Sequence, residues 1–264
     1  MIHPTAIVHP NARVAPGCEL GPYCVVGEHV TLGENCKLHS HVVIDGHTRL
    51  GRENEIFPFA ALGMKTQDLK YKGGQPRLEI GDHNVFREHF TAHRSNKADA
   101  ETVIGSHNFL MANSHVAHNC SIGNHVILAN GALLAGHAVV QDRAFISGNC
   151  LVHQFCRVGA LAIMQGGAGI SKDLPPFCVA LRGNEMCGLN VVGLRRAGFS
   201  AEARMELKRL YHLLFRGGKN LRDALVEARE NFSGEAAKKM LEFIAEARRG
   251  VCADTGGAPA NGDE

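Results

Sequence analysis

Every sixth residue from Ile104 to Ile170 is apolar, and this regularity restricts the fold more than any other feature of the chain. The positions are Ile104, Leu110, Val116, Ile122, Leu128, Leu134, Val140, Ile146, Val152, Val158, Met164 and Ile170. Because 45% of the residues are hydrophobic, twelve hits in a row would arise by chance about once in ten thousand. A period of six suits neither a 3.6-residue helix nor a two-residue strand over this length. It suits a coil of triangular cross-section in which three hexads close one turn of about 18 residues, a parallel β-helix of hexapeptide repeats.

The same hexad opens the chain at Ile2, Val8, Val14, Leu20, Val26, Leu32, Leu38, Ile44, Leu50, Ile56 and Leu62. Glycines often follow, as at Gly21, Gly27, Gly33, Gly51 and Gly63, and are expected at tight corners where the backbone needs conformational freedom. The pattern fails near 64–78 and again at 93–102, where polar segments are expected to be extruded from the coil; because the phase survives, a degenerate coil is the alternative at the first. Loops thrown from a rigid scaffold are where binding residues tend to sit. The β-helix is thus expected to span 1–172, followed by a small helical domain over 173–250. Ser200 and Asn220 are candidate N-caps and Gly217-Gly218 a helix stop. The tail 251–264 has no core-forming pattern and is expected to be disordered.

Composition narrows the function. A net charge of +2 gives no reason to expect nucleic acid, and no apolar run approaches the ~20 residues that span a bilayer. The N-terminal MIHPTAIVHPNARV has no basic head before an apolar block, so a cytoplasmic location is expected. Cys18, Cys24, Cys36, Cys120, Cys150 and Cys156 all stand two residues before a hexad position, in the slot that Ala6, Ala12 and Ala60 also occupy. They read as small interior fillers, with neither disulfides nor a sulfur-bound metal expected.

Histidine is concentrated in the clean stretch, at His107, His115, His118, His125, His137 and His153. His118, His137 and His153 nearly share a phase at the coil period, which would bring three imidazoles to one edge in consecutive coils. Turn positions are polar in any case, but three aligned titratable groups exceed what turns require. There is no nucleophile motif, phosphate loop or dinucleotide loop. That leaves a general base acting on a hydroxyl during direct acyl transfer. Gly136 follows His118 by 18 residues. It falls one coil directly above, where its N–H could serve a developing oxyanion.

The runs NSHVAHNC (113–120), LAGH (134–137), VHQFC (152–156), QDLKY (67–71) and GLNVVGLRRAGFS (188–200) resemble the UDP-N-acetylglucosamine O-acyltransferases of lipid A biosynthesis. The resemblance spans residues 1 to about 250 and implies a left-handed β-helix, with active sites in clefts between the subunits of a homotrimer. It implies acyl carrier protein as donor of a (3-hydroxy)acyl chain, a UDP-sugar acceptor, and no cofactor or metal. Carried over residue by residue, His118 is the base and Gly136 the oxyanion donor. Gln67, Asp68 and Lys70 hold the sugar nucleotide, and His115, His137, His153 and Gln154 line the cleft. Asn190 and Arg196 reach the nucleotide or the carrier, and Gly166 lies where acyl length is measured. Val192, Ala197 and Glu185 depart from the residues some members carry, which bears on the nucleotide and acyl-tail contacts. A sister enzyme that acylates a sugar amine, a zinc hydratase using histidines shared across chains, and a non-enzymatic trimeric spacer are the rival readings. The sequence does not separate a 3-hydroxyl from a 3-amine acceptor.

Overall fold

The computed structural model describes residues 1–256. The N-terminal part is the left-handed parallel β-helix. Most hexads yield one two-residue strand whose second side chain points inward, as in Val25–Val26, Thr31–Leu32 and Lys37–Leu38. Parallel partners such as Ile127↔Phe145 and His115↔Leu133 stand one coil apart. Stacking of the coils produces three sheets of nine, eight and eleven strands. The hexad residues Leu32, Leu38, Ile44, Leu50, Ile56, Leu62, Ile104 and Leu110 form one continuous buried column. Each such side chain contributes about 1.5–3 kcal/mol by leaving water, so the prism is held by repetition of one contact rather than by a central cluster.

The interruptions are loops. Partners Ile56↔Phe86 are 30 residues apart across the first, and Phe86↔Leu110 are 24 apart across the second. The excess over one coil is a multiple of six in both cases, which is why the phase survives without a degenerate coil. The loops are shorter than the sequence pattern suggests. The strands Ala61–Met64, Arg77–Ile80, Thr91–His93 and Glu101–Ile104 take up their edges, leaving 65–76 and 94–100.

The corners correct the expectation about glycine. Of the five glycines singled out, only Gly63 has a positive φ. Gly21, Gly27, Gly33 and Gly51 are needed because a Cβ would collide with the coil above, as Gly21 would with the His39 carbonyl carbon at 2.9 Å. The left-handed corner residues are mostly not glycine at all: His41, His83, His89, His107, Asn113, Asn119, His125, His137 and Phe155 all have φ near +60°. This region costs a β-carbon energy, least for Asn, Asp and His. Ring stacking offsets it: His83, His107 and His125 stack with centroids 4.8 and 4.9 Å apart. Tyr23, His41, Phe59 and His89 form a second ladder at 5.0 Å steps. His107 and His125 are therefore turn residues.

All nine cysteines are buried free thiols. Cys36 donates to the Gly51 carbonyl at 3.1 Å and Cys120 to Ala135 at 3.2 Å. Burial pushes the Cys120 thiol up to about 12, which suits a filler and not a nucleophile.

The C-terminal region is not purely helical. An antiparallel hairpin, Cys178–Arg182 with Glu185–Leu189, continues the eleven-stranded sheet by pairing with Ile163–Met164. Backbone groups that the last coil would leave open are thereby satisfied. Four helices follow: α1 (Val191–Arg196), α2 (Ala201–Phe215), α3 (Leu221–Asn231) and α4 (Glu235–Ala245). Ser200 and Asn220 cap α2 and α3 as expected, accepting from the Ala203 and Asp223 amides. Leu207, Leu210, Ala224, Ala228, Met240 and Ile244 form the buried faces. Arg157 ties α4 to the coil: it pairs with the buried Asp173, donates to the Phe243 carbonyl and stacks its guanidinium on the Phe243 ring.

The expectation of a disordered tail from Val251 is corrected for residues 251–256. Ala253–Asp254 pair in parallel with Glu185–Met186, Cys252 is fully buried, and Asp254 pairs with Arg216. These are long-range pairings that no local pattern announces. Residues 257–264 of the expected tail lie outside the described residues.

Candidate active site

His118 follows the strand His115–Val116 into a corner of the prism, with its side chain 17% exposed. Its Nδ1 lies 3.0 Å from the Asn119 side-chain oxygen. Asn119 cannot turn its amide round, because its nitrogen donates to Ser95 Oγ at 2.7 Å while its oxygen also accepts from the Asn96 N–H at 3.0 Å. An oxygen facing Nδ1 requires Nδ1–H to be the donor, so the lone pair of the neutral ring is on Nε2. The backbone therefore delivers His118 with its basic nitrogen pointing outward.

Asp68, on the first extruded loop, places Oδ2 4.0 Å from His118 Nε2. Its Oδ1 accepts from the Lys70 N–H at 2.9 Å and its Oδ2 from Asn96 Nδ2 at 2.6 Å. These two donors hold its carboxyl below the usual carboxylate range. The carboxylate and Nε2 thus face each other across a gap too wide for a direct hydrogen bond. A hydroxyl entering the gap can donate its single proton to Nε2.

Gly136 is where the spacing put it. A Cβ there would stand 2.5 Å from His118 Cε1 and 2.6 Å from Nε2, so only glycine admits the imidazole. Its N–H makes no hydrogen bond among the described residues, which leaves a donor beside the basic nitrogen. His137 meets His118 edge-on with centroids 5.3 Å apart and stacks on Phe155 at 4.5 Å. The three histidines of the expected edge do sit at one corner of successive coils, but at different turn positions: His118 lies beneath Gly136, while His137 lies beneath Phe155. His153 is exposed and donates through Nδ1 to the Gln154 carbonyl.

Burial first, then the neighbouring imidazoles, lowers the basicity of the histidines packed around His118. His115, bonded to Thr91 Oγ1 at 2.7 Å, is lowered by burial, and His137 by burial and then His118. His93, which the sequence did not single out, is 6% exposed and pushed down to about 4 by burial and then by His115 and His118. Below its usual 6.5 the unfolded chain takes up this proton, whereas the folded chain resists until about 4. Stability from this group is therefore complete above 6.5 and is lost as pH falls, by roughly 3 kcal/mol in all. Urea midpoints at fixed protein concentration should fall between about pH 7 and about pH 5, and fall less in His93→Gln. Equal slopes in both proteins would refute the assignment.

Gln67 and Lys70 are exposed on the loop that carries Asp68. Asn190 is buried: its oxygen caps α1 by accepting from the Gly193 N–H, and its nitrogen donates to the Leu161 carbonyl. Arg196 stands in the last turn of α1. No hydrogen bond or ion pair joins Asn190, Arg196 or Gly166 to the His118 cluster among the described residues. Nor does any group of three or more His, Cys, Asp or Glu stand placed to hold a metal ion among them.

An apolar trough of about 490 Å³ runs over the nine-stranded sheet beside this corner, lined by His115, Leu133, Leu151, His153, Gly169 and Ile170. Leu133 and Leu151 are 41% and 52% exposed. The sheet joins the His118 corner to the corner containing Gly148 and Gly166, where the Gly167 N–H donates to the Gly148 carbonyl. No helix among the described residues is long and apolar enough to cross a membrane.

Residues 173–252 match the family model described as UDP N-acetylglucosamine O-acyltransferase, domain 2, and residues 1–33 and 101–136 match bacterial transferase hexapeptide repeats. The chain is 37% identical to the UDP-N-acetylglucosamine acyltransferase of Francisella novicida over 97% of its own length and 95% of the other, with a TM-score of 0.92. Against the Acinetobacter baumannii protein the identity is 41%, coverage 95% and 98%, and the TM-score 0.91. Against the Campylobacter jejuni enzyme the values are 34%, 96%, 99% and 0.90. The fold and these likenesses agree, and the chain belongs to the UDP-N-acetylglucosamine acyltransferase family.

Proposed function

We propose that this acyltransferase moves a (3-hydroxy)acyl chain from acyl carrier protein to the 3-position of UDP-N-acetylglucosamine, the first step of lipid A biosynthesis, in the cytoplasm. The observation that carries the reading is the Nε2 of His118, packed against Gly136 and facing Asp68 across 4.0 Å. The sugar 3-hydroxyl enters that gap. Nε2 takes its proton as the oxygen attacks the thioester carbonyl, and the oxyanion is held by the Gly136 N–H. Collapse of the tetrahedral intermediate expels the phosphopantetheine thiolate, which recovers the proton from His118. Proton and leaving group balance without a cofactor or a metal.

Asp68, with Gln67 and Lys70, orients the sugar nucleotide, and His115, His137, His153 and Gln154 line the remainder of the cleft. A homotrimer completes the site, with Asn190 near the nucleotide and Arg196 at the nucleotide or the carrier from a neighbouring subunit. Of the basic run in the helical domain, Arg216 and Lys219 are committed to Asp254 and Glu227. Arg195, Arg196, Lys208 and Arg209 carry no ion pair among the described residues and suit an acidic carrier. Glu185 pairs with Arg182, so that departure is absorbed within the hairpin.

The test is transfer from carrier-bound donors to UDP-N-acetylglucosamine and to its 3-amino analogue. Acylation of the 3-hydroxyl is expected, and turnover of the amine alone would overturn the assignment. The acyl tail is placed over the trough toward Gly166. A side chain at Gly166 would meet nothing closer than the Gly148 carbonyl at 3.7 Å, so Gly166→Met should fold and obstruct the tail. At about 0.8 kcal/mol per buried methylene, donor preference should shift to a tail shorter by several carbons. Rates across a donor series check this: an unchanged length profile excludes Gly166 as the ruler.

A further inference from the structure

We propose that Asn96, on the second extruded loop, is the positioning residue that holds Asp68 away from His118 and so keeps open the gap in which the acceptor hydroxyl reacts. The inference rests on the reading of His118 as base. Asn96 grips both sides of the gap. Its Nδ2 donates at 2.6 Å to Asp68 Oδ2, the oxygen that stands 4.0 Å from His118 Nε2. Its backbone N–H donates at 3.0 Å to the Asn119 oxygen that also receives the His118 Nδ1 proton. Ser95 and Lys97 brace the grip: Ser95 Oγ accepts from Asn119 Nδ2 at 2.7 Å and from the Lys97 N–H at 3.0 Å. One short loop thereby fixes the base and the carboxylate relative to each other, although their strands are separated by a third, Thr91–His93.

This arrangement is not one that stability alone selects. Asn96 Oδ1 is buried with no hydrogen-bond partner among the described residues, and an unmet buried acceptor opposes folding. The amide is held where its nitrogen is useful at the expense of its oxygen. Without the Nδ2 donor, the shortest way for Asp68 Oδ2 to regain a hydrogen bond is to close on Nε2. An Asp68–His118 ion pair would then protonate the base and fill the acceptor's place. The charged and titratable groups around His118 are Asp68 and Lys70 from the first loop, His93 and Lys97 from the second segment, His115 from the strand leading into His118, and His137 from the corner of the next coil. Asp68 is the only anion among them, so its approach sets the direction of the effect.

The test compares wild type, Asn96→Ala and Asn96→Ala/Asp68→Asn. In Asn96→Ala the acid limb of kcat/KM should move to higher pH by about one unit, because a nearby opposite charge favours the imidazolium. On that limb, where the rate follows the unprotonated fraction, kcat/KM should therefore be about tenfold low, and it should recover in alkali. The thermal midpoint should stay within a few degrees. The double variant should return the limb to its wild-type position, whatever its KM. The His118 ring is also followed directly by NMR titration of its Cε1–H, assigned with His118→Gln, which needs no turnover. If wild type transfers no acyl group but the His118 titration still moves upward in Asn96→Ala, the function reading fails and the positioning role stands. A loss of rate that is uniform across pH, an unmoved His118 titration, or failure of Asn96→Ala to fold would each overturn the proposal.

Discussion

Replacement of His118 by alanine is expected to lower acyl transfer by about 10²- to 10⁴-fold, the usual range for loss of a general base. The fold should be unaffected, because the imidazole is not part of the buried column and its single hydrogen bond, from Nδ1 to Asn119, lies at the corner. Subunit assembly measured by sedimentation separates lost chemistry from misfolding. His118→Gln sharpens the comparison: it keeps a polar group of similar reach at the corner but cannot hold the proton. A variant that retains more than half of wild-type turnover would show that another group takes the proton. His137 would then be the next candidate, being edge-on to His118.

Gly136→Ala carries the second large effect, by a different physical route. The added methyl would begin 2.5 Å from His118 Cε1 and 2.6 Å from Nε2. These distances are well inside contact, and the obstacle is a side chain, so the ring is displaced and the backbone is not. A misplacement of about 1 Å costs about 100-fold in rate, and the methyl also shields the N–H assigned to the oxyanion. The loss should fall on kcat, with the KM for the sugar nucleotide little changed, since Asp68 and its two donors are untouched. A KM-dominated loss would place Gly136 in binding and not in the transition state.

The prism was legible because the hexad has only one inward slot that must be apolar, so Leu32 or Ile104 announces its place without reference to any neighbour. The pairing of His118 with Gly136 was legible for the same reason, since stacking by whole coils turns sequence spacing into spatial contact. What the pattern misassigned was the corner chemistry. Four of the five glycines singled out are there for close stacking of coils, whereas the left-handed turns fall mostly on other residues: asparagine, which tolerates them, and histidine and phenylalanine, whose stacked rings offset the torsional cost. Contacts that do not follow the coil register were invisible: the Ser95–Asn96–Asn119 latch crosses between a loop and a corner, and Ala253–Asp254 return from the far end of the chain to pair with the hairpin. Asn119 carried one weak signal, its place beside His118. Nothing local marked Asn96.

Direct passage of the acyl group from donor to sugar nucleotide under general-base control is tested by a single-turnover rapid-quench experiment. Enzyme in excess is mixed with acyl carrier donor and UDP-N-acetylglucosamine, and protein and small-molecule fractions are weighed by mass spectrometry at each time. One acyl group should appear on the 3-oxygen of the sugar nucleotide as the donor is consumed, with no acylated enzyme at any time. Accumulation of an acyl-enzyme before product, on any of the chain's serine, cysteine or histidine side chains, would contradict it.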